Sequence, residues 1–174
     1  LAEPGTPLAA GQIYDSNGPM LRALAEQAGA HAATRRVADD RGATEQAIAQ
    51  ALDAADLFVL SGGVSVGPHD HVKPALAANG VEEVFWRVAL RPGRPTWFGV
   101  QRERGALVLG LPGNPVSAMV TFVLFARPAL RALTGLPATT ARRRAMLATA
   151  LPRHAERDEC VRVVLADDGT ARPT

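Results

Sequence analysis

The stretch Leu57-Phe58-Val59-Leu60, followed directly by Ser61-Gly62-Gly63, decides the fold. Four consecutive apolar residues that end at a polar one are typical of a strand buried on both faces of a parallel sheet. Segments with helical periodicity lie before and after this strand, and further apolar runs follow them. Because alternating strands and helices favour helices packed on both faces of a sheet, we predict an α/β fold, a three-layer αβα domain with a mostly parallel sheet.

The other elements are predicted from periodicity, capping residues and breakers. Asn17 is a good N-cap for a helix that Gly29 ends, and Pro128 is expected to kink the longest helix. Further helices are predicted at residues 43–55, 72–78 and 115–133. Further strands are predicted at residues 33–37, 84–90, 96–100 and 106–109, the last two joined by a charged turn.

The composition changes at residues 139–144, where arginines replace the apolar periodicity. Strands are predicted beyond it at residues 145–150 and 160–165, and Asp167-Asp168-Gly169 predicts a hairpin. We therefore expect one domain at residues 1–140 and the start of a second, β-type domain, cut short, at residues 141–174.

Composition excludes several classes of protein. Of 174 residues, 47% are hydrophobic and 21% charged, the balance of a globular protein with a buried core. Cys160 is the only cysteine, which excludes an internal disulfide and a cysteine-based zinc site. Arg127 and Pro128 interrupt the longest apolar stretch and no leader pattern is present, so a cytoplasmic protein without a membrane segment is the expectation.

The basic residues are almost all arginine, with Lys73 the sole lysine, and the net charge is +2. A planar guanidinium suits oxyanions better than an ammonium does, although codon usage would explain the same bias. Few aromatic residues are available to stack bases, and acids are interspersed among the arginines. We therefore expect no nucleic-acid partner.

Three loops are expected beyond the strand ends, where ligands bind in open α/β sheets. The first, residues 61–70, offers convergent backbone N–H groups and hydroxyls to an anion, which we favour over a plain strand-to-helix connection. Its candidate residues are Ser61, Gly62, Gly63, Ser65 and Gly67. Asp70, at the head of the next helix, caps that helix or holds Mg²⁺ on a bound phosphate.

The second loop is Arg91-Pro92-Gly93-Arg94-Pro95, preceded by Arg87. Its prolines hold two guanidinium groups at a fixed separation, which suits a small dianion; a solvated surface turn is the alternative. The third loop leads into the long helix, whose free N–H groups and dipole also attract anions. Its candidates are Gly113, Asn114, Pro115 and Ser117, with helix capping by Asn114 as the structural alternative.

Asp39 and Asp40 precede a predicted helix, and either carboxylate caps that helix or holds a metal at the same crevice. The sequence contains no HExxH pair, no GxSxG elbow and no Walker A pattern. A zinc protease, a serine hydrolase of that type and a P-loop NTPase are therefore not predicted.

The motifs GQIYDSN, Asp39-Asp40, SGGVSVGPHD, RPGRP and LPGNPVSA occur in the order and approximate spacing of the MoeA/gephyrin family of molybdopterin molybdenumtransferases. The resemblance covers residues 1–135. It implies a MogA-like molybdopterin-binding domain that lacks its first strand, followed by a truncated β-barrel-like domain. It also implies insertion of molybdate into adenylylated molybdopterin with release of AMP, assisted by Mg²⁺.

Residue roles follow from the same resemblance. The glycine-serine loop with Asp70 would hold the adenylylated pterin and the metal, with Asp39 at the acidic edge of the pocket. Arg87, Arg91, Arg94, Pro95 and Ser117 would form the molybdate pocket. The family usually has KPGKP where this chain has RPGRP, so the charge is kept while the hydrogen-bond geometry changes.

Family members are about twice this length or more, so the resemblance implies a fragment that is inactive alone. Their missing N-terminal domains build much of a homodimer, and a MogA-type adenylyltransferase supplies their substrate. Two alternatives stay open: a MogA-type adenylyltransferase itself, whose loop usually reads GGTG, and a gephyrin-like scaffold without catalysis.

Overall fold

The computed structural model describes residues 1–63, 71–139, 142–152 and 154–174. Its strands in chain order are β1 (Leu57–Ser61), β2 (Val81–Trp86), β3 (Leu90–Arg91), β4 (Trp97–Gln101), β5 (Ala106–Leu111), β6 (Met146–Leu147), β7 (Asp158–Glu159), β8 (Val163–Leu165) and β9 (Thr170–Pro173). Its helices are α1 (Asn17–Gln27), α2 (Arg41–Ala54), α3 (Val72–Ala78), α4 (Pro115–Thr121) and α5 (Arg127–Leu133).

The central sheet of the described residues has the strand order β1-β5-β4-β2. The β1–β5 pair is parallel, whereas β4 pairs antiparallel with both β5 and β2. The α/β class is confirmed, but the prediction of a mostly parallel sheet is wrong for these strands. The reason is the short turn between β4 and β5, residues 102–105, which can join antiparallel strands but cannot carry a parallel crossover.

Helices cover both faces of this sheet, as the three-layer prediction requires. Phe58 and Leu60 of β1 pack towards the α2 and α3 side, where Ile48, Leu52 and Leu76 are buried. Leu57 and Val59 pack towards the opposite side, with α1, α4 and α5. Alternate residues of β1 therefore pack into two separate hydrophobic clusters, because successive side chains of a strand point to opposite faces of the sheet.

The helical run Pro115–Leu133 is long and apolar enough, by length and composition, to cross a membrane. Its residues Ala118, Phe122 and Ala126 are nevertheless buried against Leu109 and Leu111 of β5, which is the packing of a core helix. The predicted kink at Pro128 takes the form of a π-helical turn at Phe122–Ala126. The wider turn leaves room for the proline ring, which would clash with the preceding turn of a regular α-helix, and it tolerates the hydrogen bond that proline cannot donate.

Several local predictions differ from the structure. No strand forms at residues 33–37; this segment is largely exposed, and Arg36 lies 3.6 Å from Glu3 in an ion pair. The predicted strand at residues 84–90 is divided into β2 and β3, because Arg87 between them has φ +68°. Asn17 is the first residue of α1 and not its N-cap, which is Ser16.

The C-terminal segment combines its own small sheet with one contact to the rest of the chain. β9 pairs with β8 through the predicted hairpin at Asp167-Asp168-Gly169, and with β6 on its other side. The short strand β7 pairs in parallel with β3, so this segment docks beside the proline-rich loop. The division into domains at residues 1–140 and 141–174 stays a prediction.

Candidate anion-binding site

The register of the sheet brings the predicted loops to one edge. Ser61 at the end of β1 is opposite Leu111 at the end of β5, and Gly110 is opposite Trp97 at the start of β4. Trp97 in turn is opposite Trp86 at the end of β2. Antiparallel pairing thus brings the loop between Trp86 and Trp97 to the same rim as the loops that follow β1 and β5.

The glycine-rich loop begins with two residues in the left-handed region, Gly62 at φ +85° and Gly63 at φ +73°. The Gly62 N–H donates to the Leu111 carbonyl over 3.1 Å, which ties this loop to the end of β5. A Cβ on Gly63 would lie 2.9 Å from Val72 of α3. The backbone of this turn therefore requires glycine both for its conformation and for its packing.

Asn17 joins the first and third loops, a role that its sequence position did not suggest. Its Nδ2 donates to Ser61 Oγ over 2.7 Å and to the Gly113 carbonyl over 2.8 Å. Its Oδ1 is buried and has no hydrogen-bond partner among the described residues. The sequence marked Asn17 as an amide at the start of a helix, which is typical of a cap, and as the last residue of the GQIYDSN motif, and neither signal indicates a link between loops.

We expect Asn17→Ala to lower the free energy of unfolding by about 1–3 kcal/mol, because two hydrogen bonds between loops are lost. Urea denaturation measures the change. The double variant with Ser61→Ala should lose less than the sum of the two single variants, since both remove one shared contact. Strict additivity would contradict the Asn17–Ser61 hydrogen bond.

The proline-rich loop is packed against the long helix through its glycine. Gly93 is buried at φ +125°, and a Cβ there would lie 2.5 Å from Thr121 Cγ2. Thr121 is fully buried and donates through its hydroxyl to the Ser117 carbonyl. The loop therefore packs against Thr121, at the C-terminal end of α4. Pro95 is half-buried beside the fully buried Thr96, whose hydroxyl donates to the Gly93 carbonyl.

A cavity of about 300 Å³ opens beside this loop, and it is lined mainly by charged side chains. The residues that line it are Arg87, Val88, Ala89, Arg94, Glu156 and Arg157. Arg87 and Arg94 were predicted from the sequence, whereas Arg157 was not. Arg157 reaches the cavity because β7, which follows it directly, pairs with β3. No local pattern around Arg157 marked it, since it lies among acidic residues like any solvated arginine.

Arg91 has a different environment from the other arginines of the loop. Its Nη1 lies 3.2 Å from Glu159 Oε1, and its side chain is largely exposed. The described lining of the cavity does not include it. In this structure Arg91 therefore joins the proline-rich loop to β7, and Arg94 is the loop residue that faces the cavity.

The third loop is organised by helix capping. Asn114 Oδ1 accepts hydrogen bonds from the backbone N–H groups of Val116 and Ser117, at 3.1 and 3.3 Å. Pro115 is in the first turn, where its missing N–H removes no helical hydrogen bond. Gly113 accepts from Asn17 and lies next to Gly62 in space. These residues build the rim, and Asn114 has the capping role that the sequence analysis gave as its alternative.

Asp39 and Asp40 were predicted either to cap the following helix or to hold a metal. Asp40 caps α2, accepting from the Ala43 N–H over 2.8 Å, and Asp39 is exposed beside it. Within the described ranges, no group of three or more His, Cys, Asp or Glu side chains is placed to hold a metal ion. The predictions for Ser65, Gly67 and Asp70 lie outside the described residues.

Residues 4–132 match the model of a family described as "Probable molybdopterin binding domain". The chain is 47% identical to molybdopterin molybdenumtransferase 2 of Mycobacterium tuberculosis, over 79% of this chain and 35% of that protein. It is 41% identical to molybdopterin molybdenumtransferase of Haemophilus influenzae, over 78% of this chain and 33% of that protein. The chain thus spans about a third of the length of these relatives.

A solved structure shows the same fold. The molybdopterin biosynthesis MoeA protein of Pyrococcus horikosii superimposes with a TM-score of 0.79 at 28% identity. The superposition covers 99% of this chain and 42% of that one. The strands after residue 142 are therefore included in the shared fold, together with the α/β layers.

Proposed function

Because the chain belongs to the family of molybdopterin-binding domains, we propose that it serves molybdenum cofactor biosynthesis as part of a molybdopterin molybdenumtransferase. The observation that carries the proposal is the cavity lined by Arg87, Arg94 and Arg157 at the same sheet rim as the glycine-rich loop. A pterin that bears phosphate groups and a tetrahedral dianion bound beside it would together use both parts of this rim.

The proposed reaction is the insertion of molybdate into adenylylated molybdopterin, with AMP as the leaving group. The guanidinium groups of the cavity bind the molybdate dianion through charge-assisted hydrogen bonds. Backbone N–H groups of the glycine-rich loop other than that of Gly62, which donates to the Leu111 carbonyl, would bind the phosphates of the pterin. These residues would hold molybdate and the pterin side by side. Their positive charges and N–H donors would offset the repulsion between the two negatively charged reactants.

A metal requirement is the finer part of the proposal. Mg²⁺ is commonly held by one or two carboxylates together with substrate phosphates, so Asp39 and Asp70 suit it chemically. When bound there, Mg²⁺ would offset the negative charge of the phosphates. AMP release measured against Mg²⁺ concentration, with and without Asp70→Asn, tests this part.

The test of the whole proposal is AMP release from adenylylated molybdopterin by the protein that carries this chain. AMP release that depends on molybdate supports a molybdenumtransferase. Consumption of ATP with formation of adenylylated molybdopterin would instead indicate a MogA-type adenylyltransferase. Capture of a partner peptide without any molybdate-dependent release would indicate a scaffold.

The remaining parts of the proposal concern the location of the protein, its oligomeric state and the enzyme that supplies its substrate. We propose a cytoplasmic homodimer that receives its substrate from a MogA-type adenylyltransferase. A reaction that proceeds through a labile adenylylated intermediate benefits from such a supplier. Analytical ultracentrifugation and co-purification with the adenylyltransferase test these points.

A further inference from the structure

Trp86, at the end of β2, has two cationic side chains against its indole ring. Lys73 Nζ lies 3.4 Å from the ring centroid, and Cζ of Arg87 lies 4.2 Å from it. A cation within about 6 Å of an aromatic face is attracted by the ring quadrupole, most strongly for tryptophan. The indole Nε1 is buried and has no hydrogen-bond partner among the described residues. The face of the Trp86 ring is therefore the part that contacts both cations.

Arg87 is held in an uncommon backbone conformation next to this ring. Its φ of +68° makes it the only non-glycine residue with positive φ in the part of the chain that the structure describes. Its N–H donates to the Thr96 carbonyl over 2.9 Å, and the Val88 N–H donates to the Arg94 carbonyl over 3.0 Å. Such a conformation persists where the surroundings over-determine it, and it is typical of functional sites.

The backbone conformation of Arg87 does not by itself fix the position of its guanidinium, because several rotatable bonds lie between the two. A contact of the guanidinium itself is therefore needed to hold it at the cavity. Arg87 shares the cavity with Arg94 and Arg157, and like charges that line one cavity repel one another. The only acidic side chain among the described lining residues is Glu156. A side chain that is free before binding loses more conformational entropy when the anion binds.

Resting on the proposed function, we infer that Trp86 is a positioning residue of this cavity. Its ring holds the Arg87 guanidinium at the cavity wall against the repulsion of Arg94 and Arg157. The anion then meets a cation that is already in place. Trp86 itself does not line the cavity among the described residues, so it acts through Arg87.

The test measures the dissociation constants of molybdate and sulfate by calorimetry in the protein that carries this chain. Trp86→Leu should weaken binding of both dianions roughly fivefold or more, whereas Trp86→Phe, which keeps a ring face, should stay within about twofold of the wild type. Trp97→Phe is the matched control, because Trp97 is the register partner of Trp86 but its Nε1 donates to Glu83. It should change stability and not the affinity for either dianion.

A second readout does not depend on anion binding. In the anion-free chain, the NMR resonance of Arg87 Hε should show a ring-current shift that Trp86→Leu removes and Trp86→Phe retains. Circular dichroism verifies that each variant is folded, and Trp86→Met replaces Trp86→Leu if the latter does not fold. Unchanged affinity and an unchanged Arg87 resonance in the non-aromatic variant would overturn the role of Trp86 while leaving the proposed function intact. If the wild-type protein that carries this chain binds neither dianion, the proposed function and this inference are overturned together.

Discussion

Arg94→Ala is expected to raise the molybdate concentration needed for half-maximal AMP release by about tenfold or more, because a hydrogen bond to a charged group contributes about 1.5–3 kcal/mol. Arg94 is the residue of the proline-rich loop that faces the cavity, and the adjacent Gly93 and Thr96 hold the loop rigid. Its removal takes one guanidinium from the cavity and leaves the glycine-rich loop unchanged.

The measurement is AMP release at a series of molybdate concentrations in the protein that carries this chain. The maximal rate should change less than the molybdate requirement, since the lost interaction serves binding of the dianion. Arg102→Ala is the matched control. Arg102 is an exposed arginine that pairs with Glu82 near the start of β2, at the other end of this strand from the cavity. An equal effect of both variants would show that general charge, and not the cavity, attracts molybdate.

Gly93→Ala is expected to lower the free energy of unfolding by roughly 2–4 kcal/mol, since backbone strain and overpacking each cost about 1–3 kcal/mol. The new methyl group would lie 2.5 Å from Cγ2 of Thr121, which is fully buried and cannot move aside. The φ of +125° is also unfavourable for alanine. Urea denaturation gives the value.

Gly105→Ala separates the two contributions to this loss. Gly105 has φ +72°, but no atom lies within 4 Å of where its Cβ would be. Its substitution should cost only about 1–2 kcal/mol, the cost of a left-handed alanine. If Gly93→Ala cost no more than Gly105→Ala, the packing of the proline-rich loop on α4 would not hold. We also expect Gly93→Ala to weaken the binding of molybdate, because Arg94 moves with the loop, whereas Gly105→Ala should leave it unchanged.

Local signals accounted for much of the fold. The short apolar run before Ser61 became β1, the helix at Val72–Ala78 has the predicted bounds, and the hairpin at Asp167-Asp168-Gly169 is present. Asn114 caps the long helix as one of its two predicted roles. Each of these features depends on residues a few positions apart, so composition and spacing along the chain were sufficient to indicate them.

Whether neighbouring strands run parallel or antiparallel could not be predicted from local sequence in the same way. β4 and β5 were predicted as a pair across a charged turn, which already required an antiparallel arrangement. The mostly parallel sheet was inferred from the alternation of strands with helices, a rule about fold classes that does not describe each pair. Which strand lies beside which is decided by hydrogen bonds between segments far apart in sequence, such as Ser61 opposite Leu111.

The amino-acid sequence was enough to identify the family, the two-sided α/β layering and the arginines of the proline-rich loop, since each depends on near neighbours or on a motif. The meeting of Arg157 with Arg87 and Arg94, the link from Asn17 to two loops, and the pairing of Arg91 with Glu159 depend on the folded chain. These contacts join residues as far apart as Asn17 and Gly113, or Arg91 and Glu159. Long-range contacts of this kind arise from register and packing, and no pattern along the chain records them.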